Sequence, residues 1–317
     1  MRATAFRNVL YRGSRILQDS SGSDETYRLS RPVKHIDLFI SHNWVVPRRK
    51  KFCALTLHFN FAYAIAASYA GVALGILLNL QHIPPTFRAV DLALRPYCLV
   101  LGACFFFLAL MFGHDFPLIR WFGWHQDVFL DKVCIHQTDP ELKAAGVRSL
   151  GAFLSHSKQM LVLFNNIYCK RLWTVYEMAC YLYLHPRDKL QLLPVDIARV
   201  VLQSTALLMF IILFTVMVVH RLAIGSIRSI TTVGFAGVSM VTLAHILRQW
   251  SLQREELYSD LRSFQLSKAV CYDESDRAIV SSNICSFVRD MGLVGEGSSS
   301  EEALTSFDML VQQNMPT

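Results

Sequence analysis

The chain has 317 residues, of which 53% are hydrophobic and only 17% are charged. Soluble globular proteins carry about 25% charged residues, so this composition excludes an ordinary soluble protein. The net charge is +7, but the basic residues flank apolar segments and form no separate patch, so nucleic acid is not an expected partner. Eight cysteines without a C-x-x-C pair indicate neither a zinc site nor a disulfide framework.

The N-terminal residues 1–32 carry several arginines before the first acidic residue, Asp19. They contain no apolar segment of the kind that a secretory signal has. This pattern predicts a flexible basic arm that faces water or lipid headgroups.

Four long apolar segments follow, and apart from Asp115 and Arg199 they contain no charged residue. Each is close to the ~20 residues that a helix needs to cross a bilayer. Four buried helices of a large soluble core are the alternative, but so many uncharged segments favour an integral, multi-pass membrane protein. The predicted spans form two hairpins, residues 52–80 with 97–119 and residues 199–220 with 229–247.

The basic residues around the spans predict their orientation. They include Arg48–Lys51 before the first span, Arg120 after the second, Arg187 and Lys189 before the third, and Arg248 after the fourth. Because cytoplasmic loops are rich in Lys and Arg, both termini and the central polar region are predicted to be cytoplasmic. The lipid bilayer, with its anionic headgroups, is the expected partner. The scarcity of ionisable groups at membrane depth disfavours a transporter or channel.

One face of the first span carries only small residues, Ala67, Gly71 and Gly75, each four positions apart. Small side chains let helix backbones approach closely. This face therefore predicts close packing, either inside the bundle or between two copies of the chain in a homo-oligomer.

The polar segments between the spans predict an α/β domain. Near-continuous apolar strands are expected at residues 35–41, 127–135 and 159–164, with a fourth at 189–197. Helices are expected after the second and third strands. This alternation predicts a doubly wound parallel sheet, which binds ligands at the carboxyl ends of its strands.

The helix after the second predicted strand should begin at Pro140, with Asp139 as its N-cap. Its apolar residues are expected to share one face: Leu142, Leu150, Phe153 and Leu154. The helix after the third strand is expected within residues 169–184.

The C-terminal segment is expected to complete the domain. Residues 262–272 alternate apolar and polar side chains, as an edge strand does. Residues 273–291 predict a helix capped by Ser275 or Asp276, and its inward side chains are expected to be Ile279, Ile284, Phe287 and Val288. Residues 293–317 are predicted to be a flexible tail, in which a short docking helix and disorder remain alternatives.

Three segments together resemble the Toll/interleukin-1 receptor (TIR) domain. They read DLFISH, VFLDKVCI and MLVLFNNIYCKRLWTVYEMACYL, and they lie within residues 34–44 and 124–184. The resemblance implies a flavodoxin-like parallel sheet, cytoplasmic, built from residues 33–46 and 121–197 and completed by residues 257–292. The two transmembrane hairpins would then be insertions into this domain.

The resemblance also implies a site. Some TIR proteins cleave NAD with the glutamate of the Trp-x-x-x-Glu helix, and that residue here is Glu177. NAD would be a substrate, and no cofactor or metal is expected. The residues expected to bind it are Ser41, His42 and Trp44 after the first strand, Lys132 after the second, and Trp173 one helical turn before Glu177. The loop residues Asn43, His136 and Gln137 are expected at the same edge.

Two functional classes fit these features. The first, which we favour from the sequence, is a membrane-bound signalling or scaffold module that acts by TIR–TIR association. The second is a membrane-tethered NAD glycohydrolase that uses Glu177. Trp173 and Glu177 also fit a core anchor and a surface carboxylate paired with Lys170 or Arg171. An open cleft around Glu177 would favour the enzyme.

Overall fold

The structure is a computed structural model, and it describes the following residues: 1–79, 96–115, 126–185, 190–221, 225–271, 274, 276–295 and 297–314. The chain divides into two compact units. The first comprises Met1–Lys51, His125–Val195 and Ser251–Thr317, and the second comprises Phe52–Trp124 and Asp196–Trp250. The second unit therefore interrupts the first twice along the chain.

The first unit is built on a mixed sheet of six strands, of which four run parallel. The strands are β1 (Arg2–Ala5), β2 (Arg31–Pro32), β3 (Leu38–Ser41), β4 (Asp127–Phe129), β5 (Met160–Phe164) and β6 (Leu190–Pro194). Their order across the sheet is β2-β1-β4-β3-β5-β6. The parallel strands β4-β3-β5-β6 form the centre and one edge, and β1 and β2 extend the other edge with antiparallel pairing.

The described helices are α1 (Phe6–Ser14), α2 (Asp24–Arg28), α3 (Arg48–Asn79), α4 (Pro96–Phe112), α5 (Asp131–Cys134), α6 (Pro140–Arg148), α7 (Leu150–Ser155), α8 (Leu172–Leu184), α9 (Val195–Arg221), α10 (Gly225–Arg262), α11 (Asp276–Asp290) and α12 (Ser300–Asn314). The predicted strands at residues 35–41 and 159–164 are confirmed as β3 and β5, with β3 limited to Leu38–Ser41. The strand predicted at residues 189–197 is confirmed for Leu190–Pro194 as β6, but its last three residues, 195–197, are wrong because they begin the helix α9. The helix predicted after the third strand is confirmed as α8.

The prediction of a flexible N-terminal arm is wrong. Residues Arg2–Ala5 form β1, which pairs with both β2 and β4. Val9 and Leu10 are buried in the core, and the Arg2 side chain donates hydrogen bonds to Ser30 Oγ and to its carbonyl oxygen. The arginines thus lie at the surface while most of the apolar residues between them are buried. The positive charge of the segment gives no indication of this burial.

The second predicted strand is confirmed only for residues 127–129, and its extension to residue 135 is wrong. Asp131–Cys134 form the short helix α5. The Asp131 carboxylate accepts a hydrogen bond from the backbone amide of Lys132, and the Leu130 carbonyl accepts from Val133 and Cys134. These bonds close a helical turn, which removes the segment from the sheet.

The predicted N-cap of α6 is confirmed, because Asp139 Oδ1 accepts hydrogen bonds from the amides of Glu141 and Leu142. The predicted shared face is only partly correct. Leu150, Phe153 and Leu154 are buried, but Leu142 is 49% exposed. Since α6 ends at Arg148 and α7 begins at Leu150, the helical periodicity does not continue across Ser149.

The edge strand predicted at residues 262–272 is wrong. Leu266–Lys268 form a 3-10 turn, and the Leu266 amide donates to Asp308 Oδ1 of α12. A single parallel bridge joins Val270 to Arg171. The Asp308 side chain therefore accepts the hydrogen bond that the Leu266 amide, in an edge strand, would have donated to the neighbouring strand.

The C-terminal helix α11 is confirmed, with one change in its buried face. Ile284, Phe287 and Val288 are buried as predicted, but Ile279 is 40% exposed and Val280 is buried in its place. Of the predicted caps, Ser275 lies outside the described residues. Of the two alternatives for the tail, the docking helix is observed: residues 300–314 form α12, whose residues Ala303, Phe307 and Val311 are buried.

Two described helices are long and apolar enough to cross a membrane, Arg48–Leu78 and Cys98–Asp115. From Phe52 onward the first of them belongs to the second unit, as does the whole of the other. The small face of α3 packs against α4: a Cβ atom on Gly71 would lie 2.8 Å from the carbonyl oxygen of Leu101. The helices α9 and α10 cover the other two uncharged segments. Residues 80–95, 116–125 and 222–224, which include the predicted return of the chain before β4, lie outside the described residues.

Candidate functional site

The first unit contains a cavity of about 500 Å³ at the carboxyl ends of β3 and β4. The loop that follows β3 (His42–Trp44), the start of α5 and one side of α8 line it, and the segment Ser20–Gly22 forms a further wall. Ligands of parallel α/β sheets bind outside the carboxyl ends of the strands. The cavity therefore lies where the sheet topology predicts a binding site.

Glu177 of α8 lines this cavity and is held from behind by Ser41. Ser41 Oγ donates a 2.6 Å hydrogen bond to Glu177 Oε2 and lies 2.5 Å from the hydroxyl of Tyr168. Burial raises the pKa of Glu177 to about 8, the hydrogen bond from Ser41 opposes that rise, and the charge of Asp131 adds to it. A carboxyl group whose pKa is raised by its surroundings in a cleft is typical of a functional site.

Trp44 is fixed by contacts on several sides. Its indole Nε1 donates a 2.9 Å hydrogen bond to Asp131 Oδ2. The ammonium groups of Lys51 and Lys132 lie 4.9 Å and 5.7 Å from its ring centroid, and the His42 ring packs against it in a T-shaped arrangement with 4.4 Å between the ring centroids. Burial raises the pKa of Asp131, although the Trp44 hydrogen bond opposes this. Trp44 is thus an immobilised aromatic wall of the cavity.

Three cationic side chains line the cavity: Lys132, Lys143 and Arg171. Lys132 is nearly buried, and its Nζ donates 2.9 Å hydrogen bonds to both the carbonyl oxygen and the Oδ1 atom of Asp19. This pairing attaches the N-terminal segment to the cavity and lowers the pKa of Asp19, chiefly through the side-chain hydrogen bond. The positive charge suits an anionic ligand such as a phosphate.

Most of the predicted site residues meet at this cavity. His42, Trp44, Lys132, Trp173 and Glu177 line it. Ser41 does not line it, because its side chain points at Glu177.

The other predicted loop residues do not all lie at the cavity. Asn43 and Gln137 also line the cavity. The His136 ring instead packs against Tyr27 and accepts a hydrogen bond from the amide of Asp139, so it serves the local structure.

The alternative in which Glu177 is a surface carboxylate paired with Lys170 or Arg171 is not observed. Lys170 pairs with Asp260 at 3.9 Å, and Arg171 Nη1 donates to the carbonyl oxygen of Cys271. Glu177 therefore faces an open cleft, which is the arrangement that favours a binding or catalytic role.

Sequence reasoning missed Asp131 and the wall Ser20–Gly22. The sequence places Asp131 inside a predicted strand, whereas in the structure β4 ends at Phe129 and Asp131 is the first residue of α5. The wall could not be found because the N-terminal segment was interpreted as a separate arm. Gly22 packs so closely that a Cβ atom there would lie 2.5 Å from Gln137 Cγ.

Among the described ranges, no group of three or more His, Cys, Asp or Glu side chains could hold a metal ion. The eight cysteines are all free thiols. Comparison of the chain with protein-family models, curated proteins and solved structures gives no match.

Proposed function

We propose that this chain is a membrane-anchored, TIR-like protein that cleaves NAD between nicotinamide and ribose. The observation that carries the proposal is Glu177, a carboxyl group of raised pKa that faces an open cavity at the carboxyl edge of the sheet. The order of the parallel strands adds support. In their own chain order they are arranged second, first, third, fourth, as in the first four strands of a flavodoxin-like sheet.

The chemistry requires a carboxylate beside the ribose. The bond between nicotinamide N1 and ribose C1′ breaks, its electron pair leaves with the nicotinamide nitrogen, and positive charge develops on the ribose ring. Water then adds to C1′ and releases a proton. An ionised Glu177 would stabilise the positive ring and orient the ribose hydroxyl groups. The positively charged pyridinium ring of NAD, brought close to Glu177, would favour this ionised form.

The rest of the cavity suits the remainder of the dinucleotide. Trp44 and Trp173 present aromatic rings that can stack on a base or on the pyridinium ring. Lys132, Lys143 and Arg171 provide positive charge for the pyrophosphate. All of these side chains belong to the first unit.

The proposed membrane arrangement has four spans, with both termini and the TIR-like domain in the cytoplasm. Two described helices meet the requirement of length and hydropathy. The helices α9 and α10 contain the two other uncharged segments, and the basic residues cluster on the proposed cytoplasmic side.

A second candidate function is signalling by association of the TIR-like domains of several copies. A groove between α6–α7 and α11 favours it, because small side chains such as Gly151, Ala152 and Ser282 line it beside the exposed Ile279. Confinement to a membrane raises the effective concentration of such domains. The small face of α3 packs on α4 of the same chain, so in this candidate the groove, rather than that face, joins the copies.

The test is nicotinamide release from NAD by the full-length protein, reconstituted at high density in liposomes. The wild type is compared with Glu177→Ala and with Glu141→Ala, which removes an exposed carboxylate on α6. We expect release from the wild type and from Glu141→Ala, and a loss of at least about 100-fold with Glu177→Ala. Release that survives Glu177→Ala would overturn the role of Glu177. No release from folded, clustered wild type would favour the association module.

A further inference from the structure

Two neighbouring residues in the cavity wall carry buried polar atoms without partners. His42 and Asn43 are only 7% and 5% exposed. His42 Nε2 and Asn43 Nδ2 have no hydrogen-bond partner among the described residues, yet both residues line the cavity. An unsatisfied buried polar group costs about 1–3 kcal/mol, so native structures keep few of them unless a ligand completes them.

The neighbouring contacts fix which of these atoms accepts and which donates. The backbone carbonyl of Ile40 raises the pKa of the His42 imidazole, as a carbonyl oxygen does when a ring N–H is directed at it, and since Nε2 is unpaired, that N–H is on Nδ1. A neutral imidazole that donates through Nδ1 leaves Nε2 as an acceptor. Burial lowers the pKa of His42 well below its ordinary value, and the charges of Lys51 and Lys132 lower it further, so the neutral form prevails.

The unpaired side-chain atom of Asn43 is a hydrogen-bond donor, whereas that of His42 is an acceptor. Its Oδ1 accepts a 3.0 Å hydrogen bond from the amide of Val45, which assigns Nδ2 to the unpaired side as a donor. The Asn43 carbonyl oxygen accepts from Lys51 Nζ at 3.3 Å, so both the backbone and the side chain of this residue are held in place.

We propose that His42 and Asn43 form a subsite for a primary carboxamide, the group that nicotinamide carries. The carboxamide N–H donates to His42 Nε2, and its carbonyl oxygen accepts from Asn43 Nδ2. The choice of nicotinamide rests on the proposed NAD cleavage. The subsite follows Ser41, which contacts Glu177, and this places the carboxamide next to the carboxyl group that acts on the adjoining ribose.

The subsite makes a prediction that the charge of the cavity does not. Lys132, Lys143 and Arg171 line the cavity together with the acidic residues Asp131 and Glu177, so the charges alone do not select neutral nicotinamide over nicotinic acid, which is an anion. A carboxylate cannot donate a hydrogen bond to His42 Nε2 and would place an acceptor against an acceptor. The subsite therefore predicts a preference for nicotinamide over nicotinic acid.

The test measures binding of free nicotinamide and of nicotinic acid to the full-length protein in detergent micelles, by ligand-observed NMR titration. We expect the wild type to bind nicotinamide at least about tenfold more tightly, as the loss of one well-placed hydrogen bond implies. His42→Phe keeps an aromatic ring against Trp44 but removes the acceptor, and it should abolish the preference. Asn43→Asp keeps the acceptor for the Val45 amide but removes the donor, and it should weaken nicotinamide binding by a similar factor.

His156→Phe, which changes an exposed histidine on the sheet's other loops, is the matched control and should retain the preference. His42→Phe also removes the interaction of Nδ1 with the Ile40 carbonyl, so its melting curve is recorded beside the wild type to show that the variant is folded. Equal binding of the two compounds, a preference for nicotinic acid, no binding of either, or a preference that survives in His42→Phe would each overturn the subsite. A wild type that prefers nicotinamide but does not cleave NAD would refute the proposed activity and leave the subsite standing.

Discussion

Replacing Glu177 with Gln should stabilise the protein, and the gain should grow with pH. The pKa of Glu177 is raised from its ordinary value of 4.5 to about 8, mainly by burial. Below the unfolded pKa, both folded and unfolded chains hold the proton, and the wild type has its full stability. As the pH rises towards 8, the unfolded chain ionises while the folded chain keeps its proton, so stability is lost. The Gln variant has no such loss.

The size of the effect follows from the pKa difference. One pKa unit corresponds to about 1.4 kcal/mol, so the complete difference would amount to about 5 kcal/mol for a carboxyl group fully shielded from water. Glu177 keeps contact with the open cavity, where water solvates its charge. We therefore expect about half of that value, roughly 2–3 kcal/mol above pH 8.

The assay is thermal unfolding of the full-length protein in detergent, for the wild type and for Glu177→Gln, across this pH range. At about 2–4 °C per kcal/mol, the variant should melt about 5–10 °C higher above pH 8 and close to the wild type near pH 5. The same change at the exposed Glu141 is the control. A difference that is constant with pH, or a variant that is less stable at every pH, would refute the reasoning that Glu177 is a buried carboxyl group of raised pKa.

Two further predictions concern other parts of the chain. Lys132→Ala removes both hydrogen bonds to Asp19, so the melting temperature should fall by the equivalent of about 1–3 kcal/mol. Amide exchange at residues 19–22 should become faster. Unchanged exchange there would contradict the attachment of this segment to the cavity through Lys132. Gly71→Ala places a methyl group 2.8 Å from a carbonyl oxygen of α4 and should destabilise the α3–α4 hairpin. The added methyl group of Gly234→Ala meets nothing within 4 Å, so this variant should be tolerated. Equal melting temperatures for the two variants would contradict the packing of α3 on α4.

The parts of the fold that the sequence predicted are those with strong local patterns. The strands β3 and β5 are short, continuously apolar segments and are buried throughout. The cap at Asp139 depends only on the next few residues. The loop residues of the site could be predicted because they lie directly after such strands, where parallel topology brings the loops to one edge. Trp173 and Glu177 lie on a helix and were predicted from the resemblance to TIR domains.

The remainder depends on contacts between distant residues. The burial of Val9 requires the pairing of β1 with β4, more than a hundred residues away. The choice of Val280 over Ile279 depends on how α11 packs on its neighbours, since both residues are apolar. The role of Asp131 requires Trp44, which lies on a loop distant in sequence. Local patterns do not contain this information.

The pH dependence of nicotinamide release by the liposome-reconstituted protein tests the central claim most directly. If Glu177 acts as a carboxylate, kcat/KM should rise with pH and level off above about pH 8, following the ionisation of the free enzyme that its raised pKa indicates. Glu177→Gln should remove both the activity and this rise. An absence of release at every pH, from wild-type protein shown to be folded and clustered, would contradict the assignment of this cavity to NAD cleavage.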